Sequence, residues 1–281
     1  REGVASKIDI AAGLLPRGLH LMVMDAYRSL EVQAALFNQY RKGVEAARPD
    51  WSEEQISAET QKYVSIPSTD SSRPSPHNTG ASVDVVLIRL DDDTQILIDE
   101  IDAKLRTVGE DWEKLYLLEM KRSSLIRRHA TMLDFGTRFD HGGPMAALRH
   151  FEEKSKTQPL TDVEESQLTN RRLLFNVMVA SGMEPYADEW WHFNDPASQM
   201  GAKAAGLEFA EYGAAELSEE NQAFALMREQ HHINSVRLAR GDQWIPPEGL
   251  GRAYQLALRA VAGDNPKNIW KMTQGVERIE P

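Results

Sequence analysis

Apolar residues recur at two different periods along this chain, and the changes of period mark its elements. Val4, Ile8, Ala12 and Leu15 stand at helical spacing and the run stops at Pro16, which predicts an opening helix. Leu19-His20-Leu21-Met22-Val23-Met24 then reads as a buried strand running into Asp25-Ala26-Tyr27-Arg28-Ser29. Helical spacing returns over Leu30 to Tyr40. Between 43 and 76 apolar residues thin out while Pro, Ser and Thr accumulate, which predicts loops and one short helix over Glu53 to Tyr63. Ser82 to Leu90 is β-branched and aliphatic, and reads as a strand leaving a turn at Gly80.

Residues 91–130 are charged and helix-prone, with Trp112, Leu115, Leu118 and Ile126 on one face, and are expected to form an inserted helical excursion. Leu133 to Asp140 returns to the core. Asn170 to Ser181 is an amphipathic helix with Leu173, Leu174, Val177 and Met178 inward and Gly182 at its end. Glu189 to Phe193 reads as a short aromatic strand. Beyond about 201 the pattern predicts helices over Asn221 to Arg240 and Gly251 to Val261, without residues grouped for chemistry. Short strands scattered among separate helices predict an α+β fold rather than an alternating parallel sheet.

Composition narrows the partners. Of 281 residues, 41% are hydrophobic, enough for a sizeable core, and 27% are charged. A formal charge of −11 and a pI near 5.3 argue against nucleic acid or an anionic membrane as the main partner. No apolar run approaches the ~20 residues that cross a bilayer. Cysteine is absent, which excludes disulfides and thiolate metal sites. That absence fits a reducing cytosol, so a cytoplasmic location is expected, with a periplasmic one as the alternative if a signal peptide has been removed. The chain starts at Arg1, so part of the natural N-terminus is expected to be missing. Nothing in the sequence speaks to oligomeric state.

Two segments more than a hundred residues apart carry the candidate chemistry: Ser75-Pro76-His77-Asn78-Thr79-Gly80-Ala81-Ser82-Val83-Asp84 and Glu189-Trp190-Trp191-His192. His77, Asp84 and His192 offer two imidazoles and a carboxylate, a common ligand set for a catalytic zinc with one open position. Asp84 stands among valines on a strand expected to be buried, where a carboxylate is costly unless paired or metal-bound. Taken alone, His77 and Asp84 fit a capped turn and a satisfied core aspartate equally well. Glu189 and His192 add a base and a third ligand, provided a bend lets residues three apart face one metal. Arg28 suits an oxyanion, since its guanidinium stays charged and donates in a planar fork. The plainer reading of Arg28 is a salt bridge to Asp25 or Glu31. In Gly136-Thr137-Arg138-Phe139-Asp140, Asp140 could hold a substrate ammonium and Phe139 could wall the pocket; a turn between strands is the alternative. His141 is set aside as a ligand because the metal already has three. The adjacent His231 and His232 do not share a helical face and read as solvated.

Taken in order, Asp25-Ala26-Tyr27-Arg28, Ser75-x-His77-x-x-Gly80-x-x-x-Asp84, Gly136-Thr137-x-Phe139-Asp140 and Glu189-Trp190-Trp191-His192 resemble the zinc D-alanyl-D-alanine dipeptidases, the vancomycin-resistance type and its housekeeping relatives. Asn170-Arg171-Arg172-Leu173-Leu174 before Gly182 is similar to that family too. The resemblance spans roughly residues 1–200. It implies a central antiparallel sheet flanked by helices, related to D,D-carboxypeptidases and the hedgehog signalling domain. It also implies one zinc ion per chain on His77, Asp84 and His192, with Glu189 as base and Arg28 stabilising the transition state. Ser75 and Asp140 would help to hold a small D-amino-acid dipeptide. Residues 1–200 are thus expected to be the catalytic domain, with 91–130 inserted and 201–281 a helical extension of unassigned role. Two rivals remain: a D,D- or L,D-carboxypeptidase acting on peptidoglycan stem peptides, and a non-catalytic zinc-binding module of the same fold.

Overall fold

A computed structural model of the chain describes residues 1–68, 70, 74–109, 111–198 and the short stretches 203, 206, 212–217, 233–237 and 240–242. Of the two helices expected beyond 201, only 233–237 and 240 of the first are described, 233–237 as helix and 240 as a turn; Gly251 to Val261 lies outside the described residues.

The fold is α+β, as the pattern predicts. Helix α1 (Glu2–Gly13) leads to strand β1 (Leu19–Asp25), then α2 (Leu30–Ala47) and α3 (Glu53–Gln61). A 3-10 turn at Pro76–Thr79 enters β2 (Ser82–Arg89), followed by α4 (Asp92–Leu105), α5 (Trp112–His129) and the two-residue β3 (Thr131–Met132). A second 3-10 turn (Pro144–Ala146), α6 (His150–Ser155), α7 (Asp162–Ala180), β4 (Glu184–Pro185) and β5 (His192–Asn194) complete the described elements. The sheet is antiparallel in the order β1-β2-β5-β4, with β3 also pairing β2.

Strand β2 is the axis of the molecule, buried along its length except at Arg89. Its pattern follows from having neighbours on both edges and both faces. Val83, Val85 and Leu87 share one face; Ser82, Asp84, Val86 and Ile88 share the other. The core joins this strand to Val4, Ile8, Ala11, Ala12 and Leu15 from the first helix and its end, and to Leu174, Val177 and Met178 from α7. Truncating one such side chain, Leu174→Ala for example, costs about 2–5 kcal/mol.

Several expectations shift at this level. Strand β1 forms where expected but is not a buried strand: of its residues only Leu21 is buried, while Val23 and Met24 are exposed, because it ends the strand order. Strand β5 begins at His192 rather than Glu189, and residues 188–191 form a turn. Helix α7 starts earlier than the amphipathic stretch alone implies. Thr161 caps it through Glu164 N, and the Glu164 side chain returns to Thr161 N, a capping box written as T-x-x-E in the sequence. The excursion over 91–130 is two helices packed on each other, with Ile98, Ile101, Leu105, Leu115, Leu118 and Met120 buried outside the main core cluster.

Candidate active site

Two loops are laced together before any chemistry is considered. Arg28 N donates to His77 O (3.1 Å), His77 Nδ1 donates to Ala26 O (2.8 Å), and Asn78 Nδ2 donates to Arg28 O (3.1 Å). The chain then turns at Gly80, whose φ of 67° is a conformation glycine adopts without a Cβ penalty, and drops into β2. A register shift between Val23 and Asp25 brings Asp25 opposite Asp84. On the other edge of β2, Asp84 pairs with His192 and Ser82 with Asn194.

The result brings His77, Asp84 and His192 together, all buried, with one ligand atom from each lying within 4.8 Å of the others. Asp84 Oδ1 is 2.9 Å from His192 Nδ1 and 3.4 Å from His77 Nε2. Ligands about 2.0–2.1 Å from a tetrahedral zinc sit roughly 3.3 Å apart, so the two separations from Asp84 suit such an ion, and the group as a whole, spread over up to 4.8 Å, has to draw in to close on it. The donor chemistry fits as well. His77 commits its Nδ1 proton to Ala26 O, and His192 Nε2 faces Asn194 Oδ1 at 3.1 Å. The inward atoms are therefore two imidazole lone pairs and a carboxylate oxygen. Burial opposes ionisation of Asp84, yet the neighbouring imidazoles of His192 and His77 hold its carboxyl well below the usual range. Burial likewise lowers His192, but its bond to Asp84 and the charge there raise it overall. A cation at this point satisfies all three groups at once.

Because residues 188–191 turn, Glu189 reaches the same face as His192, its Oε2 lying 3.8 Å from His192 Nδ1. Burial raises its carboxyl to about 7; the imidazole of His192 opposes the rise and the charges of Asp84 and Asp140 add to it. The turn is clamped from behind. Trp190 N donates to Ala146 O (3.0 Å), Trp190 Nε1 donates to Thr137 Oγ1 (2.8 Å), and its ring stacks on Phe135 at 4.1 Å. The buried Arg171 then donates to Phe135 O, Ala147 O and Met145 O, tying both supporting segments to α7.

A cavity of about 690 Å³ opens from this centre and runs along α2 and the chain after α3. Arg28 lines it and pairs with Asp25, the plainer of the two expectations for that residue. Its Nε donates to Asp25 Oδ2 (2.9 Å), as does Nη2, and Nη1 donates to Gln33 Oε1 (2.9 Å). Of five guanidinium N–H groups, two remain for a ligand. Asp140 also lines the cavity, with φ at 59° and its carboxyl raised by desolvation and by the charge of Asp84. Phe139 packs edge-on against Trp191 at 5.6 Å and does not line the cavity; Trp191 itself forms the wall. Ser75 is buried and does not line the cavity, its hydroxyl without a hydrogen-bond partner among the described residues. His141 is exposed and outside the metal-capable group.

Sequence reasoning passed over Gln33, Tyr186 and Asn194. Gln33 is buried, bonds Ser65 O at 2.7 Å and steadies Arg28. Tyr186 lines the cavity with its ring 5.6 Å from that of His192. Only Asn194 carried a sequence signal, since two residues past His192 a strand returns to the same face. No helix among the described residues is long and apolar enough to cross a membrane.

The family model described as D-ala-D-ala dipeptidase matches residues 121–210, the stretch that holds Asp140, Glu189 and His192. The chain thus carries over that stretch the resemblance read from its motifs, and the match supports a metallopeptidase of the D-Ala-D-Ala dipeptidase or carboxypeptidase kind. His77, Asp84 and Arg28 lie before the matched stretch; the sheet and the loop lacing bring them to it. No curated protein matches the chain.

Proposed function

We propose that this chain is a zinc-dependent dipeptidase that hydrolyses D-alanyl-D-alanine, with residues 1–200 as its catalytic unit and 201–281 as an extension. The observation that carries the reading is the convergence of three lone-pair donors beside a carboxylate whose pKa is raised to about 7, at one end of a cavity lined by Arg28. His77 Nε2, Asp84 and His192 Nδ1 are the atoms that would hold the metal. Zinc, when bound, supplies a Lewis acid for the scissile carbonyl and makes water nucleophilic near neutral pH.

Glu189 Oε2 takes the proton of the attacking water and delivers it to the leaving amine, a task suited to a pKa near the working pH. The two uncommitted N–H groups of Arg28 donate to the carbonyl oxygen as charge develops there. Losing one such donor raises a barrier by about 2.7–4 kcal/mol. Asp140, at the cavity wall, accepts from the free ammonium of the dipeptide by charge-assisted hydrogen bonding. A non-catalytic zinc module needs neither Glu189 nor Arg28 facing the cavity.

The length of the cavity favours a second reading. It is lined along α2 from Gln33 to Ala47, which at 1.5 Å per residue is roughly 21 Å, whereas an extended dipeptide spans about 7 Å. That extent suits a carboxypeptidase acting on peptidoglycan stem peptides. A cytoplasmic location goes with the dipeptidase reading and a periplasmic one with the stem reading. Product analysis with D-Ala-D-Ala, L-Ala-L-Ala and a muropeptide ending in D-Ala-D-Ala, each with and without chelator, separates them. Chelator-sensitive release of D-Ala from the free dipeptide alone is the expected result. Equal cleavage of the muropeptide would replace it with the carboxypeptidase.

A further inference from the structure

We propose that Asn194 and Ser82 are a positioning pair that locks the imidazole of His192, keeping a proton on Nε2 so that Nδ1 is reserved for a metal ion. The inference rests on the metal-centre reading above and adds residues that reading does not use. It starts from register. Asp84 pairs with His192 and Ser82 with Asn194, and side chains alternate along both strands, so these four groups form a two-by-two patch on one face of the β2–β5 pair. Ser82 is fully buried and Asn194 is 3% exposed, so bulk water cannot substitute for either.

Within the patch the bonds have a direction. Ser82 Oγ donates to Asn194 Oδ1 at 2.7 Å, and the same Oδ1 lies 3.1 Å from His192 Nε2. With Oδ1 of Asn194 turned to both groups, the hydroxyl donates to it, and an acceptor facing Nε2 requires a proton there. The other ring nitrogen then points its lone pair to the place where Asp84 Oδ1 and His77 Nε2 converge. Without the lock, the carboxylate 2.9 Å from Nδ1 would draw the single proton of a neutral imidazole to that nitrogen and block it as a ligand. His77 solves the same problem differently, spending its Nδ1 proton on the backbone carbonyl of Ala26. Only for His192 is the orienting group a side chain, and only there can a substitution test it. Partners of this kind fix the tautomer and ring orientation of a metal-ligating histidine.

The test uses the full chain with Asn194→Leu, Ser82→Ala and the double variant. Zinc affinity is measured by competition with a chromophoric chelator, and the His192 Nε2–H resonance is followed by NMR in zinc-free and zinc-loaded protein. Asn194→Leu is expected to weaken zinc by about 10–100-fold and to remove the slowly exchanging Nε2–H signal. Ser82→Ala should weaken zinc by roughly two- to tenfold, the weight of one hydrogen bond. The double variant should match Asn194→Leu, because Ser82 acts only through Asn194. Wild-type zinc affinity in folded Asn194→Leu, or an unchanged Nε2–H signal, overturns the proposal. If Asn194→Leu does not fold, Ser82→Ala decides by the same two readouts. A merely structural pair would lower Tm and leave both unmoved. Should the wild type bind no zinc while its Nε2–H signal is present and is lost in the variants, the lock stands and the zinc reading fails.

Discussion

Asp84 and Asp102 are both buried carboxylates, 4% and 6% exposed, and their surroundings are opposite in kind. Asp102, on α4, accepts from the Nε of Arg122 on α5 at 2.8 Å, a partner whose charge is permanent. The chain neutralises that aspartate by itself. Asp84 faces two imidazole nitrogens whose rings have outward partners in Ala26 O and Asn194 Oδ1. Three acceptors converge there, and either an added proton or a cation must complete them. A buried charge is therefore no sign of a metal site in itself. What marks the site is the direction in which its neighbours spend their protons.

The largest effect that can break this contrast belongs to Glu189. Glu189→Ala is expected to lower kcat by about 10²–10⁴ while zinc content stays at one per chain, because the base is not a ligand. His192→Ala should lose both. If Glu189→Ala abolished zinc binding and excess zinc restored turnover, ligand and base would have to be exchanged. The sign of the pH dependence follows from the raised carboxyl, which accepts a proton only when ionised. Activity therefore rises with pH through that pKa. It stands at about 7 in the metal-free centre and is pulled lower by a bound cation, so NMR titration of Glu189 should shift downward on loading.

On the other side of the comparison, Asp102→Ala removes the buried carboxylate to which the Nε of half-buried Arg122 donates. Breaking a buried pair costs about 3–5 kcal/mol, read as a lower denaturation midpoint, with zinc content unchanged. Loss of zinc in Asp102→Ala would show that the two regions are not independent.

The sequence was most legible where one residue had one job. Val83 to Ile88 read as a strand because its residues other than Asp84 are β-branched or aliphatic, and His77, Asp84, Glu189 and His192 stood out because together they make a ligand set with a base, which no one of them does alone. Strand β1 misled because Val23 and Met24 are as apolar as core residues while lying at the end of the sheet; hydropathy records transfer preference, not position in a strand order. The reach of Glu189 stayed open because a turn at 188–191, set by Trp190 binding Ala146 O and Thr137, is a long-range result. The roles of Gln33 and Arg171 were illegible for a related reason, although Arg171 stands in a segment that carries the family resemblance. Their work is done through Arg28, Ser65 and the carbonyls of Phe135, Met145 and Ala147, which no local spacing announces.

Chelation gives a third, smaller test. A ligand that binds only the folded state stabilises it by RT ln(1 + [L]/Kd), about 2.7 kcal/mol at a hundredfold excess over Kd. Removing zinc should lower the stability of the wild type and of Asp102→Ala by the same amount, since only Asp84 belongs to the centre. Asp84→Asn should be indifferent to chelator. A chelator shift that disappears in Asp102→Ala would mean that the α4–α5 pair supports the metal, and the contrast would fall.

Asp140 offers the finest discrimination, because it separates substrate recognition from the metal. Its φ of 59° lies in the left-handed region, which asparagine also tolerates, so Asp140→Asn removes charge without straining the turn. Desolvation and the charge of Asp84 raise its carboxyl, while Arg28 and His77 oppose them. The ionised form holds an ammonium, so its contribution grows as pH rises through that raised pKa and is lost below it. Asp140→Asn is expected to weaken hydrolysis of free D-Ala-D-Ala by one to two orders of magnitude, about 1.4–2.8 kcal/mol in kcat/KM, with zinc content unchanged. N-acetylation of the dipeptide should harm the wild type to the same degree and add little in the variant, since both remove one contact. If the acetylated dipeptide is cleaved as well as the free one, the ammonium is not what the cavity wall reads. The run of roughly 21 Å along α2 from Gln33 to Ala47 then becomes the relevant feature and a longer stem peptide the substrate. A variant that loses stability but keeps its preference would leave Asp140 as a turn residue and move substrate selection to the α2 wall.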